Sequence, residues 1–234
     1  MPPTLPTRAT CRKNGVRAPD TRGNSDYPDE DAKLSACTDI SILDRLAFGI
    51  LGREGLRASE LRELAWREVD LDRGTIALDV NKTDDPRSWV LDPGVLRALR
   101  LWQKLFHEDA QPDEFILVHD GCRFDLNKLA KRLRDALKRA RVQREALFSQ
   151  SEQRMHLRAH DLRGTFVTLA LADGKTETWV ADRTGHKSSA MINRYRRAAR
   201  SAAELHLGWL RPLDRLIPEL RKGTEKARRL TIAR

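Results

Sequence analysis

The chain has 234 residues, 40% hydrophobic and 33% charged, enough to bury one sizeable core but crowded for two, and its 44 Lys and Arg against 34 Asp and Glu leave a net charge of +10. That excess points to a polyanionic partner without naming one, because nucleic-acid-binding and membrane-surface proteins share it. No run approaches the roughly 18 apolar residues of a membrane span, and Cys11, Cys37 and Cys122 are too widely spaced for a disulfide framework or a C-x-x-C zinc site, so a reducing cytoplasm is expected.

From Met1 to about Leu34 the sequence is rich in Pro, Arg, Asp, Gly and Ser, and its isolated apolar residues cannot offset the entropy of ordering, so residues 1–38 are expected to be a disordered polar leader. Globular patterning begins near Asp39, where Ile42, Leu43, Leu46, Ala47 and Ile50 fall on one helical face. Gly52 and Gly55 are expected to interrupt, and a second helix follows over Ala58 to Trp66 with Leu61, Leu64 and Ala65 facing the core. Thr75 to Val80 then alternates, a polar turn runs from Asn81 to Pro86, and Ser88 to Leu91 resumes extended character, which predicts a hairpin. Asp92-Pro93 opens a helix carrying Val95, Leu96, Leu99 and Leu105, and a short strand is expected at Phe115 to Val118.

From Leu126 to about Arg144, Leu126, Leu129, Leu133, Leu137 and Ala140 form one stripe and basic residues crowd the other faces; Lys128, Lys131, Arg132, Lys138 and Arg139 are candidates to meet phosphate, although any one of them alone reads equally well as a solvated surface charge. Further helices are expected at 161–173, 177–184 and 189–206, with Gly174 and Gly185 as C-terminal stops. Trp66, Trp89, Trp179 and Val180 read as core packing. Between Ala203 and Leu220, Leu205, Leu207, Trp209, Leu210, Leu213, Leu216 and Ile217 are more apolar than a tail needs, so this segment packs either on its own domain or on a neighbouring protomer, ahead of a basic tail at 221–234.

Moving a phosphodiester from one hydroxyl to another without a metal needs an oxygen nucleophile, cationic donors around the non-bridging oxygens, and a proton donor for the departing oxygen. Three segments offer such groups. Gly55-Leu-Arg-Ala-Ser-Glu-Leu61 puts Arg57 at the mouth of a helix; His160-Asp-Leu-Arg163 projects His160 and Arg163 from one side of a helical turn; and Gly185-His186 is followed nine residues on by Tyr195. Singly, each of these residues is ordinary: a surface arginine, a satisfied histidine, a tyrosine on a basic face. Their joint order and spacing is what carries information.

In that order the segments resemble the tyrosine recombinases of the phage-integrase kind, whose active site is formed by an Arg in a G-L-R-x-S-E-L segment, a Lys in a hairpin turn, an H-x-L-R segment, a G-H pair and a Tyr nine residues beyond that His. The likeness runs from about Ile42 to Arg200. It implies an α+β fold, mainly helical with a small three-stranded antiparallel sheet, over a catalytic domain at 39–220. It also implies Tyr195 as nucleophile, Arg57, Arg163 and His186 as donors to the scissile phosphate, Lys82 as general acid and His160 as general base. Double-stranded DNA would be the partner, bound by a homo-tetramer in the cytoplasm at the nucleoid, with accessory proteins possible and no cofactor or metal.

Two features depart from the family. Members usually carry an N-terminal helical domain that closes around DNA, whereas here only the polar leader precedes Ile42, and Gly164 stands where many relatives have another His. The alternatives are therefore a catalytically idle DNA-binding remnant of an integrase and a relaxing enzyme like the type IB topoisomerases.

Overall fold

A computed structural model describes residues 27–79, 86–150 and 155–222. Two buried helices form its axis. The helix α2 (Ile42–Glu54) is covered along nearly its whole length and packs on α6 (Ala159–Ala172), which is buried from Asp161 to Ala170. Helices so enclosed carry apolar residues all round, and the charged residues they contain must be paired. In α2, Arg45 forms a two-pronged bond to Glu219 at 2.6 and 3.0 Å, and Arg53 does the same to Asp31 at 2.6 and 3.1 Å.

Asp31 belongs to α1 (Pro28–Ala36), a helix inside the stretch expected to be leader. For residues 28–36 the expectation is corrected, while residues 1–26 lie outside the described residues: three long-range anchors order the helix, namely the Asp31–Arg53 pair, the Glu30–Arg144 pair at 2.6 Å, and Leu34, which is 1% exposed. Gly52 does not interrupt α2. Gly55 ends it in the left-handed conformation, φ 67°, with Phe166 of α6 so close that a Cβ there would lie 2.5 Å from Cδ1.

The next helix, α3 (Ala58–Glu63), is shorter than expected, and Trp66–Glu68 form a separate 3-10 turn. Leu64 and Ala65 are extended because they pair with the segment beyond α4: Ile116 N–H donates to Leu64 O at 2.9 Å and Ala65 bridges Phe115. The expected strand at Phe115 to Val118 is thus one bridge plus a two-residue hairpin, β4 (Val118–His119) with β5 (Cys122–Arg123). The three-stranded antiparallel sheet is present in the order β1 (Val69–Asp70), β2 (Thr75–Leu78), β3 (Arg87–Val90), with Ile76 opposite Trp89 and Leu78 opposite Arg87 on the covered face. Residues 80–85 between β2 and β3, and with them the expected turn and Lys82, lie outside the described residues.

The helix α4 (Pro93–Phe106) is capped by Asp92, whose carboxylate accepts from Gly94 and Val95 N–H at 2.8 and 3.1 Å. Its buried face is Val95, Ala98, Leu99 and Trp102, and Leu105 points outward at 43% exposure. The basic helix α5 (Leu129–Arg139) is briefer than its stripe suggested. After α6 come α7 (Glu177–Thr184), α8 (Ser189–Asn193) and α9 (Arg196–Glu204), so the single helix expected at 189–206 is broken at Arg194–Tyr195. Gly174 and Gly185 both have positive φ, as helix stops require. The apolar segment at the C-terminal side folds back: Leu213 of α10 (Leu213–Leu216), Ile217 and Leu220 are 0% exposed against α4 and α2. Leu205 does not join them and is 62% exposed.

Candidate active site

Arg163, in the second turn of α6, is the centre of the arrangement. It is 3% exposed, and its guanidinium donates to Gly55 O at 2.7 Å and, from the other terminal nitrogen, to Thr184 O. One side chain thereby ties together the ends of α2 and α7, each of which leads within two residues to another predicted site residue: Arg57 after Gly55, His186 after Thr184. A guanidinium has five N–H donors, so donors remain, and the buried Nε has no hydrogen-bond partner among the described residues. Burial, followed by the neighbouring Arg57 charge, pushes the Arg163 pKa down to about 10, which still leaves it cationic at neutral pH.

Arg57 is the N-cap residue of α3, half-buried, with its backbone N–H donating to Glu60 Oε2 at 2.8 Å and its guanidinium paired with Oε1 of the same carboxylate. Glu60 also accepts from Arg87 at 2.6 Å, and Arg87 in turn donates to Arg183 O at 2.6 Å. Arg87 is a site neighbour that the sequence reading missed. Its signal was available: in β3 it stands two residues from Trp89, and strand alternation sends both to the covered face, where an arginine must be paired.

His160 stands exposed in the first turn of α6. Desolvation and then the Arg163 charge hold its pKa below the ordinary value, so the imidazole is neutral at physiological pH. His186 follows the left-handed Gly185 that ends α7, and its Nδ1 lies 2.7 Å from Thr184 Oγ1. The Thr184 hydroxyl also lies 2.6 Å from Val180 O, and with its one proton given to that carbonyl, Nδ1–H donates to Thr184 and Nε2 carries the lone pair. Burial, then Arg163, His160 and Arg57, push the His186 pKa down to about 4.

Tyr195 sits at the break between α8 and α9, half-buried, its ring among the residues packed on Phe166, Val167, Val180 and Ile192. It faces α6 at Gly164: a Cβ on that glycine would lie 3.2 Å from Tyr195 Cε1 and 3.9 Å from the hydroxyl oxygen. Burial raises the phenol pKa, and Arg194 and Arg163 work against that rise. Arg57, His160, Arg163, His186 and Tyr195 are thus brought to one locality, a neutral phenol and two neutral imidazoles beside two fixed cations. Lys82 lies outside the described residues. Among them no group of three or more His, Cys, Asp or Glu is arranged to hold a metal ion, and no helix is long and apolar enough to cross a membrane.

The five basic candidates of α5 and its approach are placed unequally. Lys128 is exposed at the mouth of the helix with φ 50°. Lys131 pairs with Asp135 at 2.7 Å, Lys138 lies 5.4 Å from the Phe148 ring centroid, and Arg139 reaches Asp39 O at 3.4 Å. Arg132 is bound to the Asp44 carboxylate of α2 and to Asp125 O at 2.6 Å, which makes it a fastening between elements.

The curated tyrosine recombinase XerC of Xanthomonas campestris pv. campestris (strain B100) is 28% identical over 156 residues, which cover 67% of this chain and 44% of XerC. The chain therefore spans less than half the length of the curated relatives it matches. Among solved structures, that of XerA recombinase superposes with a TM-score of 0.60 and 23% identity over 78% of this chain and 63% of its own. A lambda integrase dimer bound to a COC′ core site gives 0.57 and 18% over 74% and 59%. These two likenesses establish the fold. The sequence profile of the phage integrase family matches residues 28–201, from the first turn of α1 through every described site residue and into α9, and the chain belongs to that family.

Proposed function

We propose that this domain performs site-specific DNA recombination or integration, cutting and rejoining strands without a metal through a 3′-phosphotyrosyl intermediate. The observation that carries the reading is the stitching of Arg163 to the ends of α2 and α7, which brings Arg57 and His186 to α6, where His160 stands and against which the Tyr195 ring packs. The Tyr195 oxygen attacks the scissile phosphorus, the bond to the 5′ oxygen breaks, and the phenolic proton passes to His160. Lys82, the turn lysine, delivers a proton to the departing 5′ oxygen, a role that rests on the family likeness. Arg57 and Arg163 hold the non-bridging oxygens as negative charge builds, and each such donor is worth on the order of 3 kcal/mol of barrier. His186 adds a further donor from Nε2 once protonated beside the phosphate. Rejoining reverses these steps with a new 5′ hydroxyl. The partner is double-stranded DNA. Solved complexes of a recombinase or integrase with DNA, including XerH on a palindromic difH substrate and a Tn1549 transposon integrase on transposon end DNA, are consistent with that substrate class and with a mobile-element setting. We infer a tetramer on DNA as the working assembly.

The test is a denaturant-resistant covalent adduct between the protein and nicked duplex DNA taken from its own genomic flanks. Wild type should form it, Tyr195→Phe should abolish it, and Arg163→Ala should slow it by about two orders of magnitude or more. Salt-dependent binding with no adduct on any flank would overturn the reading in favour of an idle DNA-binding remnant.

A further inference from the structure

We propose that Gly164 is a positioning residue, its missing side chain forming the seat on which the Tyr195 ring is held within its own domain. The inference rests on the reading of Tyr195 as nucleophile. Gly164 lies inside α6, where glycine weakens a helix relative to alanine, and its φ is not positive, so the backbone there does not require glycine. Space is what requires it. The three nearest atoms to a Cβ at this position all belong to Tyr195: Cε1 at 3.2 Å, the hydroxyl oxygen at 3.9 Å and Cζ at 4.0 Å. Apart from the adjoining residues and the backbone of α6 itself, no other atom comes as near.

The ring cannot simply step back from an added group. Tyr195 packs against the cluster that includes Phe166, Val180 and Ile192, and its backbone is fixed on both sides, N–H to Ile192 O at 2.9 Å and carbonyl to Ala199 N–H at 2.9 Å. A methyl at 164 therefore presses on the ring edge by a few tenths of an ångström, and a longer side chain must lift the ring off α6. Gly164 also directly follows Arg163, so the seat sets how the phenol oxygen stands relative to the guanidinium that grips the phosphate. Burial raises the phenol's pKa against the lowering by Arg194, Arg163 and Arg158, which agrees with a covered ring.

The chain has two tyrosines, so in a Tyr27→Phe background carbon-labelled tyrosine reports Tyr195 alone. Gly164→Ala should shift the ring resonances and lower the phenol's titration point. Strain against the ring should cancel the helix-propensity gain and leave the melting temperature no higher than that of wild type, and adduct formation should slow about tenfold at saturating DNA without weakening DNA binding. Gly164→Leu should move the resonances further and slow the reaction about a hundredfold or more. Gly52→Ala in α2, whose Cβ would meet only Leu210 at 3.4 Å, should gain stability and leave both the resonances and the rate alone. Resonances and titration unchanged in both Gly164 variants would overturn the seat, as would shifted resonances with an unchanged rate. A wild type that forms no adduct would instead overturn the nucleophile reading, and the resonances would still decide whether Gly164 holds the ring.

Discussion

His186 illustrates how much one hydrogen bond decides at this site. With Nδ1–H given to Thr184, its Nε2 is an acceptor, and an acceptor facing a phosphate oxygen is repelled until it takes up a proton. The free imidazole, held at about 4, is neutral, and a bound phosphate raises that value. Between the free and bound values the complex holds more protons than its parts, so DNA affinity should rise as pH falls across that interval, with net proton uptake on binding. Calorimetry in buffers of different ionisation enthalpy measures the uptake, which His186→Gln should abolish; equal uptake by the variant would sink the assignment. The motif residues of the site were legible in sequence because each lies in a short segment whose neighbours fix its geometry: Arg57 caps a helix, Arg163 shares a turn with His160, and His186 follows a left-handed glycine. Arg87 was passed over although its place two residues from Trp89 marks it as covered; what the strand does not reveal is its partners, Glu60 and Arg183, which lie 27 and 96 residues away.

At the scale of elements, Glu54 joins the end of α2 to β3 and the start of α4. Its buried carboxyl accepts from Trp89 Nε1 and from Asp92 N–H, both at 2.8 Å. Burial outweighs those bonds and pushes its pKa up to about 8 from 4.5. The folded state therefore holds a proton that the unfolded chain releases, and this contribution to stability is fully present below pH about 4.5 and is lost as pH rises through about 8. Glu54→Gln should flatten that fall in pH-dependent denaturation curves. Glu54→Ala should cost about 1–3 kcal/mol for each donor left unsatisfied. The long periodic helices α2, α4 and α6 could be read from apolar spacing alone. What escaped were elements whose reasons are distant: α1, held by ion pairs to Arg53 and Arg144, and the breaks at Leu64 and Tyr195, which answer to pairing with Ile116 and to ring packing on α6.

Across the whole molecule the positive charge divides into two populations. Arg45, Arg53, Arg87, Arg132 and Arg144 are engaged by carboxylates within the fold, so the count of 44 Lys and Arg overstates the cations that face a polyanion, whereas the net charge of +10 already subtracts their acidic partners. Arg132→Gln should lower the melting temperature and leave the salt dependence of DNA binding nearly unchanged. Lys128→Asn, at an exposed left-handed position that Asn tolerates, should keep the fold and reduce the log–log salt slope by about 0.9. An unchanged slope would remove Lys128 from the interface. The docking of α10 bears on how the chain is made. Leu213 fills the notch over Gly49, and Gly94 lies under the backbone of Pro212 and Leu213, so the slot between α2 and α4 stays open until Leu213 leaves the ribosome, 213 − 94 = 119 residues after Gly94. At about 5–20 residues per second that is on the order of ten seconds during which a nascent chain displays an apolar cleft, long enough for a holdase to find it.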